Sequence, residues 1–324
     1  MCFVFGEFKK PRYDRATTTQ LNKKSNYKRM IKSGIFMNKK MMMAAFGSLF
    51  LATTAFADTM PSSQIYLATE LDNGIKVTPI TDAKGYHNQP LVTESGIYFT
   101  QSVGEGESAQ MDLFFYDFNK AIAENLTNTP VSEYSPTLYP HDAGLSSIVV
   151  EADGKQKLWF YPFDKSQAPK RIFDHIEPVG YHAWGNTEDL VMFILGDPHT
   201  LQYTDLSGHL PKVVAGDIGR SLAYNEKRAL YSFTYQEDKQ HWFATFSPKT
   251  QQVKQHFVMP QQVRDYTWID SDTVAYAIDN RIYTRNIEQP KQVSQWHNFT
   301  SYCDSQITRL SYKQGKMAFV CQKL

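Results

Sequence analysis

The stretch Ile65-Tyr-Leu-Ala-Thr-Glu-Leu-Asp-Asn-Gly-Ile-Lys-Val-Thr-Pro-Ile80 decides the fold, because it begins a repeat in its middle. Two alternating apolar runs, residues 65–71 and 75–80, flank the turn signal Asp72-Asn-Gly and predict two antiparallel strands. The first run has counterparts farther along the chain. The six aligned strands begin with Ile65-Tyr-Leu-Ala, Leu113-Phe-Phe-Tyr, Leu158-Trp-Phe-Tyr, Leu201-Gln-Tyr-Thr, His241-Trp-Phe-Ala and Arg281-Ile-Tyr-Thr.

Each later copy of this strand follows a two-stranded hairpin and precedes a short, more polar strand. Successive copies start 48, 45, 43, 40 and 40 residues apart. The five hairpins are predicted at residues 88–99, 135–150, 181–194, 220–233 and 266–278, and the polar strands at residues 124–127, 169–173, 211–215, 252–257 and 291–294. Repeats of ~40–45 residues with four short strands are typical of the blades of a propeller.

The two ends of the repeat array complete each other. Residues 65–80 supply a third and a fourth strand without a hairpin, and residues 308–320 supply a hairpin without those strands. Pairing the two ends closes a ring and hides the sheet edges that an open array exposes. We therefore expect an all-β chain, a six-bladed β-propeller over residues 58–324, with N-terminal outer strands paired to the C-terminal inner hairpin. A β-sandwich is the alternative, but it does not explain the split.

The first 57 residues are expected to lie outside this domain. A short basic start, Met37-Asn-Lys-Lys, precedes an apolar run over residues 41–53 and a small-x-small cleavage site at Ala55-Phe-Ala57. This pattern predicts a signal peptide at residues 37–57 and a soluble periplasmic or secreted protein after cleavage near Ala57. Residues 1–36 are interpreted as an extension from an upstream start codon. The alternative is a cytoplasmic extension on an uncleaved anchor.

Charge limits the class of partner. Residues 1–57 hold 11 of the 34 basic and 2 of the 33 acidic residues, which leaves 23 basic and 31 acidic residues in the exported part. A net charge of −8 argues against nucleic acid, because binding to phosphates requires a basic face. The same charge argues against docking on anionic lipid. We expect a monomer that does not insert into a membrane after cleavage.

Two cysteines, Cys303 and Cys321, remain after the predicted cleavage. In an oxidising compartment two such cysteines can pair across the last hairpin. A tight turn at residues 313–316, however, would place Cys321 opposite Thr308, several residues from Cys303. The sequence leaves both alternatives open.

The segment from Leu126-Thr-Asn-Thr-Pro through Glu133-Tyr-Ser-Pro-Thr to Pro140-His-Asp-Ala-Gly144 resembles the TolB-type, WD-repeat-like propeller family. Members of that family show LTN-x-P, E-x-SP and SPDG between one blade and the next, and the turn at Pro140 departs from SPDG. The resemblance implies the propeller fold over residues 58–324. Four further stretches resemble an exported subgroup without the N-terminal α/β domain of TolB, which implies a compartment and no chemistry: Gly85-Tyr-His-Asn-Gln-Pro90, Gly180-Tyr-His-Ala-Trp184, Leu195-Gly-Asp-Pro-His-Thr-Leu201 and Asp217-Ile-Gly-Arg-Ser-Leu222.

Candidate binding residues open the innermost strands, which line the central channel of a propeller. Superposition of the six hairpins brings one residue of each to the same point of the channel mouth: His87, Tyr134, His182, Arg220, Tyr266 and Arg309. Arginine offers a planar fork for carboxylate or phosphate, and tyrosine adds donors with an apolar face. We expect the mouth to take an acidic small molecule, a uronate-like sugar or a peptide C-terminus. Alternatively, these side chains hydrogen-bond neighbouring blades and fix the ring.

Metal and catalytic signals are weaker. His182, Asp197 and His199, with His87, have the side-chain types that bind zinc, but no paired spacing on one element supports a site. No cofactor is therefore predicted, although a divalent metal in the channel stays open. No catalytic residue is assigned, since neither Ser135 nor Ser221 lies in a G-x-S-x-G elbow.

The sequence predicts a periplasmic module that binds a ligand or a protein partner at the channel mouth. The competing hypothesis is a lyase or hydrolase that acts on an acidic sugar or peptide there, with His87 or His182 as base and an arginine on the carboxylate. A third hypothesis is a scaffold that docks a partner through its outer rim. The sequence leaves open whether any reaction is catalysed.

Overall fold

The computed structural model describes residues 60–323, except residue 83, residues 105–108 and residue 208. The predicted extension at residues 1–36, the signal peptide at residues 37–57 and the cleavage point near Ala57 lie outside the described residues. Within the described part of the chain, no helix is long and apolar enough to cross a membrane.

Six four-stranded antiparallel sheets form the described chain, which confirms the predicted all-β, six-bladed β-propeller. The strands are β1 (Ser63–Leu71), β2 (Gly74–Pro79), β3 (His87–Val92), β4 (Gly96–Val103), β5 (Gln110–Asp117), β6 (Ile122–Asn125), β7 (Ser132–Leu138), β8 (Gly144–Val150), β9 (Gln156–Pro162), β10 (Lys170–Arg171), β11 (Val179–Trp184), β12 (Asp189–Ile194), β13 (Thr200–Asp205), β14 (Lys212–Gly216), β15 (Ile218–Asn225), β16 (Leu230–Glu237), β17 (Gln240–Ser247), β18 (Gln252–Val258), β19 (Tyr266–Trp268), β20 (Thr273–Ile278), β21 (Arg281–Asn286), β22 (Val293–Asn298), β23 (Gln306–Lys313) and β24 (Lys316–Gln322). Blades 1 to 5 are β3–β6, β7–β10, β11–β14, β15–β18 and β19–β22.

Blade 6 is assembled from the two ends of the described chain, in the order β2-β1-β24-β23. Strand β1 runs antiparallel to β24, with Ile65 opposite Val320 and Leu67 opposite Ala318. The predicted closure is therefore confirmed: the N-terminal outer strands complete the C-terminal hairpin, and the ring closes through main-chain hydrogen bonds.

Close approach of neighbouring strands explains two of the glycines. Gly96 and Gly144 open the second strands of blades 1 and 2. A Cβ atom at either position would lie 2.2 Å from a carbonyl oxygen of the third strand, that of Tyr116 or Tyr161. Only glycine, which has no Cβ atom, lets the second strand pair with the third strand from the first residue of the second strand.

Apolar side chains fill the spaces between blades at five of the six junctions of the described chain. Large aromatic residues dominate them; Phe99 lies between blades 6 and 1, Phe233 between blades 3 and 4, and Phe319 between blades 5 and 6. The junction between blades 1 and 2 differs, because Asp112 and Glu133 are fully buried there. Burial of apolar surface thus holds most of the ring, and a polar network holds one junction.

Cys303 and Cys321 form a disulfide, with Cα atoms 5.6 Å apart, which answers the question that the sequence left open. A slip in the pairing of β23 with β24 places Cys321 opposite Ile307 instead of Thr308. The loop before β23 turns back at Phe299, whose carbonyl oxygen accepts a hydrogen bond from the Cys303 amide, and this turn brings Cys303 beside the end of β24. The bond therefore ties the loop from blade 5 to the closing strand.

Candidate functional site

The innermost strands β3, β7, β11, β15, β19 and β23 surround a central channel that holds two cavities. A wide cavity of about 610 Å³ lies toward the ends of these strands, and a narrow one of about 180 Å³ lies toward their starts. Arg220, Asp265 and Arg309 belong to the walls of both. We call these three residues the channel waist.

Arg309 is the most enclosed cation of the waist, with 8% of its surface exposed. Its Nη2 donates a hydrogen bond to the Tyr181 hydroxyl at 3.0 Å, and its guanidinium lies 5.1 Å from the centre of the Tyr181 ring. Its Nη1 lies 3.8 Å from Asp265 Oδ1. Burial acts to lower the pKa of Arg309, but Asp265 and the tyrosine hydroxyls outweigh it and raise the pKa. The group stays charged.

Arg220, on blade 4, lies near this pair and has weaker contacts. Its Nη2 donates to the main-chain oxygen of Thr308 at 3.3 Å. Burial, together with the like charge of Arg309, lowers the pKa of Arg220, while Asp265 raises it. Guanidinium remains protonated in proteins at any physiological pH. The waist therefore carries two positive charges and one negative charge.

Three phenols surround the waist. Burial raises the pKa of Tyr86 to about 12, with Arg309 lowering it and Tyr181 and Tyr134 raising it. Burial also raises the pKa of Tyr134. The Tyr86 and Tyr134 hydroxyls consequently stay protonated at neutral pH, although neither residue lies in the wall of either cavity.

Unpartnered polar atoms concentrate in this channel. Eight buried side-chain nitrogen or oxygen atoms of the described residues have no hydrogen-bond partner. Four of the eight belong to residues in the wall of the wide cavity: Ser135 Oγ, His182 Nδ1, Arg220 Nε and Arg309 Nε. The buried polar atoms without a partner thus concentrate in the wall of this channel.

Of the six residues expected at the mouth, Arg220 and Arg309 lie together in the wall of the wide cavity. Placement of His87 there is wrong, because His87 lies in neither cavity wall and is 2% exposed. Its Nδ1 lies 2.7 Å from the main-chain oxygen of Ser63, and its Nε2 lies 3.6 Å from Asp82. The first residue of β3 thus points at blade 6 and helps to close the ring.

His182 and Tyr266 line the wide cavity, but their polar ends point between blades. His182 Nε2 lies 2.6 Å from Ser146 Oγ of blade 2, and the Tyr266 hydroxyl donates to Ser232 Oγ of blade 4 at 2.9 Å. Tyr134 packs against the cluster between blades 2 and 3 and lies in neither cavity wall. These contacts agree with the alternative stated above, in which the side chains fix neighbouring blades to one another.

The weak metal candidates do not converge. His199 Nδ1 accepts a hydrogen bond from the Gly196 amide at 3.2 Å, and its ring packs on Phe193. His182 is turned toward blade 2 instead. Among the described residues, no group of three or more His, Cys, Asp or Glu side chains has the arrangement of a metal site.

Sequence reasoning missed Tyr86, Tyr181 and Asp265, each of which directly precedes a predicted residue. The pairing of the innermost strand slips in five of the six described hairpins, and each slip changes which face a side chain takes. Gln89 and Ser135 mark two of these bulges, with φ angles of 55° and 56°, and each precedes a proline. The Gln-Pro and Ser-Pro pairs are the signal that could have corrected the register.

Comparison with known proteins identifies the fold. No protein-family model and no curated protein matches the chain. A protein assigned as TolB in Agrobacterium tumefaciens superposes with a TM-score of 0.64 and 12% identity, over 82% of this chain and 99% of that one. TolB from Acinetobacter baumannii gives 0.57 and 10%, over 81% and 67%. A puromycin-hydrolyzing peptidase of Mycobacterium tuberculosis gives 0.55 and 10%, over 72% and 45%.

Identities this low carry information about architecture alone. The likeness to the two TolB structures extends over about four fifths of the chain and includes the ring of six blades. The chain has the fold of the TolB-type six-bladed β-propellers.

Proposed function

We propose that this protein is an exported binding protein whose central channel holds an anionic ligand at the channel waist. The observation that carries the proposal is the pair of arginines, Arg220 and Arg309, which line one cavity and both interact with the charge of a single carboxylate, Asp265. One buried and one half-buried guanidinium beside one carboxylate leave a positive excess inside an otherwise acidic protein. A bound anion neutralises that excess.

Binding is favoured over catalysis by the placement of the histidines. The lyase hypothesis requires His87 or His182 as a base within reach of a channel ligand. His87 lies outside both cavity walls, and burial lowers the pKa of His182 to about 3. An imidazole with so low a pKa takes up a proton poorly at neutral pH. The proposal is therefore for a ligand-binding module without turnover.

Export is supported by the leader pattern before Ala57 and by the cysteine chemistry. A buried disulfide such as Cys303–Cys321 is typical of oxidising compartments like the bacterial periplasm. We accordingly place the protein in the periplasm, as a monomer. Its ligand is an acidic small molecule or the carboxylate end of a peptide or protein partner.

Isothermal titration calorimetry of the purified protein with glucuronate and with acetyl-diglycine tests the proposal. We expect at least one of these carboxylates to bind, and Arg220→Ala to weaken that binding about 10- to 100-fold, the usual effect of losing a charged hydrogen bond. Lys249→Ala removes the same charge from an exposed loop of blade 4 and is the matched control. Equal affinity in wild type and Arg220→Ala, or no heat with either carboxylate, would overturn the proposal.

A further inference from the structure

We propose that the channel waist selects ligands by charge and admits a singly charged anionic group, with carboxylate as the best-matched class, over a doubly charged one. This inference rests on the proposed function, because it assumes that an anion binds at the waist. It adds a substrate class: sugar acids and peptide carboxylates are ligands, whereas phosphate monoesters are excluded.

The first step is that Asp265 is held in place. Its Oδ2 accepts a hydrogen bond from the Leu310 amide at 2.8 Å, and its Oδ1 lies 3.8 Å from Arg309. The side chain of Asp265 is only 11% exposed. A main-chain amide on one side and a guanidinium on the other hold this carboxylate in place. With two guanidinium groups and one carboxylate, the waist has a formal charge of +1.

The second step concerns the groups around the waist, none of which adds a buried positive charge. Burial raises the pKa of Tyr86 and of Tyr134, so both are neutral phenols, and burial lowers the pKa of His182, which is a neutral imidazole facing blade 2. Arg264, in the wall of the narrow cavity, is exposed and therefore screened by solvent. At the mouth of the wide cavity, the exposed acidic residues Asp142 and Glu226 outnumber one partly exposed cation, Lys313, which faces Glu94.

The third step follows from charge balance. One negative charge on the ligand makes the waist neutral. A second negative charge has no buried partner, and an uncompensated charge in an enclosed site is costly. A carboxylate is also planar, and planar anions match the fork of a guanidinium. The wide cavity of about 610 Å³ lies within the size range of small-molecule sites and has room for the neutral body of the ligand.

A charge-graded ligand series tests this inference by calorimetry at pH 8. Glucuronate carries one charge, glucose 6-sulfate carries one charge on a tetrahedral group, glucose 6-phosphate carries two, and glucose carries none. We expect glucuronate to bind at least tenfold more tightly than glucose 6-phosphate, with glucose 6-sulfate nearer to glucuronate. If glucose 6-sulfate binds as weakly as glucose 6-phosphate, or if glucose 6-phosphate binds as tightly as glucuronate, charge does not select the ligand and the inference fails. Acetyl-diglycine and its C-terminal amide, run alongside, distinguish a peptide carboxylate from a sugar acid as the source of the charge.

Asp265→Asn supplies the second arm, because asparagine keeps an oxygen for the Leu310 amide while the waist gains one positive charge. We expect the preference for glucuronate over glucose 6-phosphate to fall at least tenfold in this variant. Asp238→Asn, at an exposed turn with a φ of 50° that suits asparagine, is the control and keeps the wild-type ratio. An unchanged ratio in Asp265→Asn overturns the inference while the proposed function stands. Absence of binding by every anion of the series overturns both.

Discussion

Ser146 and Ser232 occupy equivalent positions two blades apart and make the same contact with the next blade. Ser146 Oγ accepts a hydrogen bond from the Trp184 indole at 2.8 Å and lies beside His182. Ser232 Oγ accepts from the Trp268 indole at 2.9 Å and from the Tyr266 hydroxyl. The repeat of this contact explains why His182 is present: it takes the place of a tyrosine and fastens blade 3 to blade 2. Its imidazole is a structural group at the edge of the channel.

His182→Tyr therefore tests the equivalence and predicts a change in acid stability. Burial lowers the pKa of His182 from 6.5 to about 3. Between these values the unfolded chain binds the extra proton, so the free energy of unfolding falls as the pH drops below 6.5. The tyrosine variant should keep its neutral-pH stability and lose part of that fall, as measured by urea unfolding from about pH 7 to about pH 4.

Exposed His175 provides the matched control, since His175→Tyr makes the same substitution at the surface, leaves the buried His182 in place and should follow the wild-type pH curve. A pH dependence in His182→Tyr equal to that of the wild type would show that His182 is not the group that titrates.

Blade junctions are the elements that differ most from one another. The junction between blades 1 and 2 replaces apolar packing with a network around Glu133, which accepts hydrogen bonds from Tyr161, Thr127 and Thr129. Asp112 lies nearby and is fully buried, with Asn125 and Gln110 as its donors. Within the described residues, neither carboxylate has a cationic partner. Such a network fixes the geometry of the junction, but it makes this junction sensitive to protonation.

Glu133→Gln should stabilise the protein at neutral pH. Burial raises the pKa of Glu133 above 4.5, assisted by the charge of Asp112 and opposed by the hydroxyl donors. The folded state then holds a proton that the unfolded state releases, so stability declines as the pH rises from 4.5 through the raised pKa. Glutamine removes the ionisation and should flatten this decline in urea unfolding measured between about pH 4 and pH 8. Exposed Glu226→Gln is the control, and a decline as steep in Glu133→Gln as in the wild type would contradict the argument.

The strands and their blade order follow from hydrophobic alternation and repeat spacing, which is why the split blade could be derived before any coordinates. The channel wall could not be derived in the same way. A single bulge between the start of a strand and its middle reverses the side chains: those expected to face the channel face the next blade, and those expected to face the next blade face the channel. Tyr181 entered the channel for this reason, while His182 turned toward blade 2. Asp265 and Tyr266 belong to the one described hairpin whose pairing has no slip, so a bulge does not explain their placement. Arg220 and Arg309 line the wide cavity at their aligned positions.

At the scale of the whole molecule, blade 6 is where the ring is held without chain continuity. Strand β1 contacts β24 through main-chain hydrogen bonds, from Ser63 opposite Gln322 to Thr69 opposite Lys316. The Cys303–Cys321 bond is the covalent tie in this region, and it links β24 to the loop that arrives from blade 5. Opening of the ring is therefore expected to start at blade 6, and the disulfide opposes it by holding β24 against that loop.

Replacing both cysteines by alanine should make this weakness measurable. Closing a loop of 18 residues is worth about 3 kcal/mol by the chain-entropy estimate, so Cys303→Ala/Cys321→Ala should lower the free energy of unfolding by about that amount. Reductant should destabilise the wild type to a similar degree and leave the double variant unchanged, which separates the covalent bond from any packing defect. Hydrogen exchange then locates the effect: amides of β1 and β24 should exchange faster in the variant, while those of β12, in the core of blade 3, keep their protection. Uniform acceleration across all blades would mean that the ring opens as one cooperative unit and that blade 6 is no weaker than the rest.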